Sequence, residues 1–262
     1  MKKLKLLDLF SGIGGFSLGL ERTGGFETVA FCEIEKFPQQ VLKKHWPDVP
    51  IYEDVRELTY KKLKQDGIYE VNIITGGFPC QDISFSGKQE GITNETRSGL
   101  WSEIVRLTRE IRPQYIIVEN VSNLLAGPSE QRGGWFGRVL GDLASIRYDA
   151  EWHCIPASCV GAIHHRDRVW VIAHPCGEHG QAITKKQILR KHQLSRKLKR
   201  GFEELPRRPS VGEALICRKD DGFPGTPHRL KALGNAVVPQ IPELIGNAIL
   251  EVEGYNANEQ CN

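Results

Sequence analysis

No uncharged apolar stretch in this 262-residue sequence approaches the ~18–20 residues that a membrane span requires. It has no internal repeat, no low-complexity tract, and no CxxC pair among seven cysteines at 32, 80, 154, 159, 176, 217 and 261. These absences exclude a helical membrane protein and the disordered and collagen-like classes. An odd cysteine count without CxxC points to free thiols in a reducing cytoplasm. The opening MKKLKLLDLFSG begins like a secretory leader. Asp8 interrupts its apolar stretch and Gly12-Ile13-Gly14-Gly15 follow, so no leader is expected. What is present is ordinary for a soluble globular protein: 40% hydrophobic and 26% charged residues. The length suits one or two domains with a full core.

The formal net charge is +3, but it is unevenly placed. Ten Lys and Arg residues fall between Lys185 and Arg208, against Glu203 and Glu204 alone, so this stretch carries +8 and the rest −5. An acidic body with one basic strip is the footprint of a polyanion-binding protein. A solvated basic helix with no partner has the same composition.

Residues 4–10 (LKLLDLF) read as a buried strand, followed by a glycine turn and a short helix over 15–22. Further strands are expected at 27–33, 71–75, 115–118 and 168–173, and helices at 36–45, 100–111, 136–146 and 240–252. Strands alternating with helices predict an α/β fold with a parallel-type sheet and helices on both faces. The pattern breaks near residue 175. Residues 1–174 read as a core, 175–228 as a small basic insertion, and 229–262 as a segment returning to the core.

The turn Asp8-Leu9-Phe10-Ser11-Gly12-Ile13-Gly14-Gly15 lies between a strand and a helix. Glycines let the backbone approach a ligand, and a helix N-terminus favours an anion. A dinucleotide fingerprint needs a third glycine where this chain has Ser17, which weakens a nicotinamide reading. Glu33 follows 21 residues after Gly12, where a carboxylate should accept ribose hydroxyls. An adenosine-bearing cofactor without a pyrophosphate suits this pattern; a plain tight turn remains the alternative.

Two further groups end strands. Gly76-Gly77-Phe78-Pro79-Cys80-Gln81 carries a cysteine on a loop at the edge where functional groups gather. A nucleophilic Cys80 needs a lowered thiol pKa; a buried inert thiol is the alternative, and the expectation for Cys32, Cys154, Cys159, Cys217 and Cys261. Glu119, after Tyr115-Ile116-Ile117-Val118, is either an acid–base group or a structural carboxylate.

The blocks DLFSGIGGFSLGLE (8–21), GGFPCQDISFSG (76–87), ENV (119–121), RDRVW (166–170) and RLKALGNAVVPQ (229–240) occur in this order. Together they resemble the DNA (cytosine-5)-methyltransferase family, over roughly 4–174 and 229–250. The resemblance implies a Rossmann-like, doubly wound, mostly parallel core that uses S-adenosyl-L-methionine and yields S-adenosyl-L-homocysteine. It implies cofactor contacts at Phe10, Gly12, Ile13, Gly14, Glu33 (ribose) and Ile34, and at Asp54 (adenine amino group), Val55 and Pro79. Asn235 and Ala236 would close that site. Cys80 matches the nucleophile, Glu119 the carboxyl that holds cytosine at N3, and Arg166 and Arg168 the paired arginines near the flipped base. Gln81, Ser84 and Ser86 match the loop that touches DNA. The implied partner is double-stranded DNA, bound by a monomer.

The chain departs from the family in two places. Ile163 and His164 stand where Pro and Gln usually precede the arginines. Residues 175–228 leave 54 positions for a target-recognition region that is normally sizeable. The basic strip fills nearly half of that space, so Lys185, Lys186, Arg190, Arg196 and Arg200 are read as a minimal DNA-gripping arm. Cys154, Cys159, His164, His165, His174, Cys176 and His179 lack zinc-finger spacing, and no metal is expected. The rival readings are a tRNA or RNA cytosine methyltransferase, a non-catalytic DNA-binding relative, and a nicotinamide oxidoreductase.

Overall fold

The structure, a computed structural model, describes residues 2–78, 100–125, 134–161, 167–177, 232 and 234–254. Its strands are β1 (Leu4–Leu9), β2 (Phe26–Cys32), β3 (Ile51–Tyr52), β4 (Ile73–Gly76), β5 (Tyr115–Val121), β6 (Tyr148–Pro156) and β7 (Asp167–Pro175). They form one sheet in the order β3-β2-β1-β4-β5-β7-β6. β1 to β5 pair in parallel, and β7 runs antiparallel between β5 and β6. The described helices are α1 (Gly15–Arg22), α2 (Lys36–His45), α3 (Tyr60–Gln65), α4 (Trp101–Ile111), α5 (Gly134–Ser145) and α6 (Gln240–Val252).

Strand alternation sorts the core into two layers. Leu4 and Leu6 of β1, Tyr115 and Ile117 of β5, and Trp170 and Ile172 of β7 pack with Phe16 and Leu20 of α1 and Ile241, Ile245 and Ile249 of α6. Leu7 and Leu9, Ile116 and Val118, and Val169 and Val171 pack on the other face with Leu63 of α3, Trp101, Ile104 and Leu107 of α4, and Val139 and Leu143 of α5. Central strands are covered on both faces, and β1 is accordingly buried at five of its six positions. The chain winds outward from β1 to β3, then returns to β4 on the other side of β1. The crevice at the carboxyl ends of β1 and β4 is therefore the switch point where such sheets bind ligands. This is the doubly wound, mostly parallel core expected from the sequence.

Three features depart from the sequence reading. β6 and its antiparallel partner β7 make that end of the sheet antiparallel rather than parallel. β5 continues past 118, because Glu119, Asn120 and Val121 pair with Trp170, Val169 and Arg168. β3 and α3 are short elements that periodicity did not signal. No described helix is long and apolar enough to cross a membrane.

α6 returns to the core along α1, and glycines make the approach possible. A Cβ on Gly19 would stand 2.1 Å from the Pro239 carbonyl oxygen and 2.9 Å from Pro242 Cβ. A backbone oxygen yields far less readily than a side chain. Gly19→Ala should therefore lower unfolding stability by ~1–3 kcal/mol. The check is a lower urea midpoint at an unchanged denaturant slope.

Candidate active site

β1 ends at Leu9, and the chain turns through Phe10 (φ 52°), Gly12 (φ 53°) and Gly14 (φ 84°) into α1. Left-handed φ is free for glycine and strained for Phe10, where it costs on the order of 1–3 kcal/mol. A Cβ on Gly12 would meet nothing within 4 Å, so there is open space beside this turn. One on Gly14 would stand 2.7 Å from the Trp46 ring, so that glycine serves packing as well. Ser11 ties the turn to β2, donating through Oγ to the Asp8 and Cys32 carbonyls (2.6 and 3.3 Å) and accepting from Cys32 N–H (3.2 Å). The N-terminus of α1 has no side-chain cap.

Glu33 leaves β2 directly onto this turn. Its Oε2 accepts from Gly12 N–H (2.7 Å) and its Oε1 from Glu35 N–H (2.8 Å). Burial raises its carboxyl above the usual range, and these backbone donors oppose the rise. Ile34 beside it is 62% exposed. Asp54 holds Arg56, whose Nη2 donates to Oδ2 at 2.6 Å and whose backbone N–H donates to Oδ1 at 2.9 Å. The Arg56 side chain thereby lowers the Asp54 pKa. Val55 is buried, and its carbonyl accepts from Arg106 Nη2 (2.9 Å), which anchors the loop. Asn235 is exposed and Ala236 half-buried. The carbonyl of the next residue, Val237, lies 2.5 Å from the point a Gly15 Cβ would occupy. That close approach brings the C-terminal segment onto the first turn of α1.

A second group of side chains lies across β4, β5 and β7. Glu119 is 8% exposed, and its Oε1 accepts from Arg168 Nε at 2.8 Å. Glu119 is paired with Trp170, so Arg168 sits two residues along β7 on the same face, within reach of a long side chain. The other carboxylate oxygen stands 3.4 Å from where a Gly77 Cβ would be. Glycine at 77 thus admits the loop leading to Cys80 right against Glu119. Asn120, which the sequence reading did not single out, grips the same loop: its Nδ2 donates to the Phe78 carbonyl (3.1 Å) and its Oδ1 accepts from Val121 N–H (2.9 Å). The Phe78 ring packs against Trp101 with centroids 5.5 Å apart. The signal for Asn120 was its place in ENV, one residue beyond a carboxylate already chosen.

The structure therefore brings Phe10, Gly12, Gly14 and Glu33 together at β1, and Glu119 and Arg168 together at β5 and β7. Pro79, Cys80, Gln81, Ser84, Ser86, Arg166, Lys185, Lys186, Arg190, Arg196 and Arg200 lie outside the described residues. One cysteine expectation is corrected: Cys154 is exposed rather than buried, because it lies on the outermost strand, β6, and Cys159 is only half-buried. Cys32 is buried as expected, and burial pushes its thiol up to about 12. Among the described residues no three His, Cys, Asp or Glu side chains gather into a metal site.

The sequence pattern of the family described as C-5 cytosine-specific DNA methylase matches residues 4–216. The chain is 34% identical over 170 residues to the Type II methyltransferase M1.ScrFI of Lactococcus lactis subsp. cremoris, covering 65% of this chain and 41% of that protein. It is 34% identical over 174 residues to the Type II methyltransferase M2.BsuMI of Bacillus subtilis, covering 65% and 42%. The chain thus spans about two fifths of the length of the curated relatives it matches. Among solved structures, one assigned as a DNA modification methyltransferase encoded within an E. coli prophage aligns with a TM-score of 0.55 at 27% identity, over 66% of this chain and 47% of that one. A Spodoptera frugiperda DNMT2 variant aligns at 0.53 and 23% identity, over 66% and 50%, a likeness of fold.

Proposed function

Because the chain belongs to the C-5 cytosine-specific DNA methylase family, we propose that it transfers a methyl group from S-adenosyl-L-methionine to carbon 5 of a cytosine in double-stranded DNA. The observation that carries this reading is the Glu119–Arg168 pair against Gly77, three residues before Cys80 and across β4 from the glycine turn. The open space at Gly12, the uncapped helix start and the carboxyl of Glu33 fit the donor. Bound there, the donor supplies an electrophilic methyl on a positively charged sulfur.

This chain's residues would do the rest. Carbon 5 of cytosine is too poor a nucleophile to take a methyl group unaided. The Cys80 thiolate adds to carbon 6, and the ring electrons move to make carbon 5 electron-rich. Glu119 holds and protonates N3, which draws electrons toward that side of the ring and assists the addition. Arg168 keeps the Glu119 carboxyl in place and, with Arg166, steadies charge at the base carbonyl. After methylation, a solvent water takes the proton from carbon 5, the carbon 6–sulfur bond breaks, Cys80 leaves as thiolate, and N3 returns its proton to Glu119. A stacked base offers no access to either face, so the target cytosine must leave the helix. Lys185, Lys186, Arg190, Arg196 and Arg200 would grip phosphates, with Gln81, Ser84 and Ser86 near the vacated space. The bacterial relatives support a bacterial or bacteriophage source and a cytoplasmic setting.

The decisive measurement is incorporation of labelled methyl from S-adenosyl-L-methionine into duplex DNA and into tRNA, followed by nucleoside analysis. The expected product is 5-methylcytosine in DNA. Label appearing in tRNA alone would replace the substrate; label in neither would leave a non-catalytic relative.

A further inference from the structure

Asp8 takes no part in the chemistry above, yet it is a carboxylic acid with 0% exposure in the middle of the sheet. It shares a face of β1 with Leu4 and Leu6, toward α1. Its Oδ2 accepts from Ser17 Oγ and its Oδ1 from Thr75 Oγ1, both at 2.8 Å. Ser17 and Thr75 are also at 0% exposure. Ser17 lies in the first turn of α1, at the position where a dinucleotide fingerprint has its third glycine. Thr75 is directly opposite Asp8 in β4, two residues before Gly77. One carboxyl therefore joins three elements: the strand entering the Phe10–Gly14 turn, the helix leaving it, and the strand leading to the Cys80 loop.

Apolar residues of similar volume would join these layers without the cost of removing a carboxyl from water. What a carboxyl with two hydroxyls adds is direction and distance. Resting on the methyl-transfer reading, we propose that Asp8, through Ser17 and Thr75, is a positioning residue that sets the cofactor turn at a fixed distance from the carboxyl end of β4. Burial pushes the Asp8 carboxyl up to about 7; the two hydroxyls oppose the rise, and the charge of Glu33 adds to it. Ionised, Asp8 accepts both hydroxyls. Protonated, it must use one oxygen as a donor, and one hydroxyl loses its acceptor. The three-way contact is thus complete at high pH and loosens as pH falls through that range.

The test measures S-adenosyl-L-methionine affinity by titration calorimetry between about pH 5.5 and 8.5, beside methyl transfer and urea unfolding. In the unaltered chain, affinity should rise with pH through a step at about 7. Asp8→Asn should flatten that step. Ser17→Ala should move it to higher pH, because it removes a contact that holds the carboxyl down. Glu33→Gln, the control for the other carboxyl, should move the Asp8 step lower. At high pH, Ser17→Ala and Thr75→Val should each weaken binding by about tenfold, with non-additive losses and recovery in Ser17→Thr and Thr75→Ser. If Asp8→Asn fails to fold, these milder variants carry the same test. An unchanged affinity and an unchanged step, with only unfolding altered, would overturn the proposal. Should the chain methylate no DNA while affinity follows this pattern, the substrate assignment falls and the positioning role stands.

Discussion

Cys80→Ala should abolish methyl transfer, with a loss of about 10⁴-fold or more, while leaving S-adenosyl-L-methionine affinity within about threefold. The size of the effect follows from the chemistry. Without a thiolate at carbon 6, carbon 5 has no route to sufficient electron density, and positioning the donor cannot compensate. Cys80→Ser should fail almost as completely, since a hydroxyl is far less acidic and far less nucleophilic than a thiol. The described cysteines are poor substitutes. Burial raises the Cys32 thiol to about 12. Cys154, Cys159 and Cys176 are raised as well, first by burial and then by nearby aspartates: Asp167 acting through space on the first two, and Asp149 through a hydrogen bond to the third. None of them is set up as a thiolate at neutral pH. A duplex containing 5-fluorocytosine makes the intermediate visible. Fluorine does not leave carbon 5 as a proton does, so the methylated adduct stays bound to sulfur and survives a denaturing gel. The trapped band should disappear in Cys80→Ala. Its persistence there would mean another residue is the nucleophile.

What the sequence made legible was what is dictated locally. LKLLDLF is mostly apolar because β1 is covered on both faces, and the glycines after it stand where left-handed φ is needed. The 21-residue spacing from Gly12 to Glu33 is one βα unit long, so the carboxyl lands on the glycine turn. β6 was not legible. Its sequence YDAEWHCIP mixes buried and exposed positions because it is an edge strand, and the exposed Trp152 and Cys154 blur its alternation. The direction of β7 was also hidden, since periodicity is the same for a strand running either way. In the sequence Asp8 reads only as an interruption of an apolar run. A charge inside a strand that is otherwise core is a signal for a buried polar contact, but its partners, Ser17 and Thr75, lie nine and 67 residues away and are joined only by the fold. Asp54 shows the local case: a neighbour only two residues away, Arg56, holds both of its oxygens.

Glu119→Gln should lower the rate of methyl transfer by about 10²–10⁴-fold, the span over which a positioned proton donor contributes. Glutamine keeps the shape and can still hydrogen-bond a ring nitrogen, but it has no proton to give to N3. The loss should therefore fall on the chemical step and the yield of trapped adduct, with cofactor affinity held within about threefold. Arg168 calls for a separate argument, because it can act on the base or act through Glu119. Its Nε donates to Glu119 Oε1 at 2.8 Å, and its side chain is only 22% exposed, so removing it strips a mostly buried carboxylate of its charged partner. Arg168→Met alone should slow transfer and destabilise the fold. The double variant Glu119→Gln with Arg168→Met distinguishes the two roles. If the guanidinium serves chiefly to hold the carboxyl, the double variant will be no slower than Glu119→Gln by itself, since the group it positions is already gone. If Arg168 also stabilises charge at the base carbonyl, the double variant will lose a further factor of about ten or more. Single-turnover rates of the four proteins on one duplex, taken at saturating cofactor, give the answer directly. Equal rates for Glu119→Gln and the unaltered chain would remove Glu119 from the chemistry and leave the pair as a strut between β5 and β7.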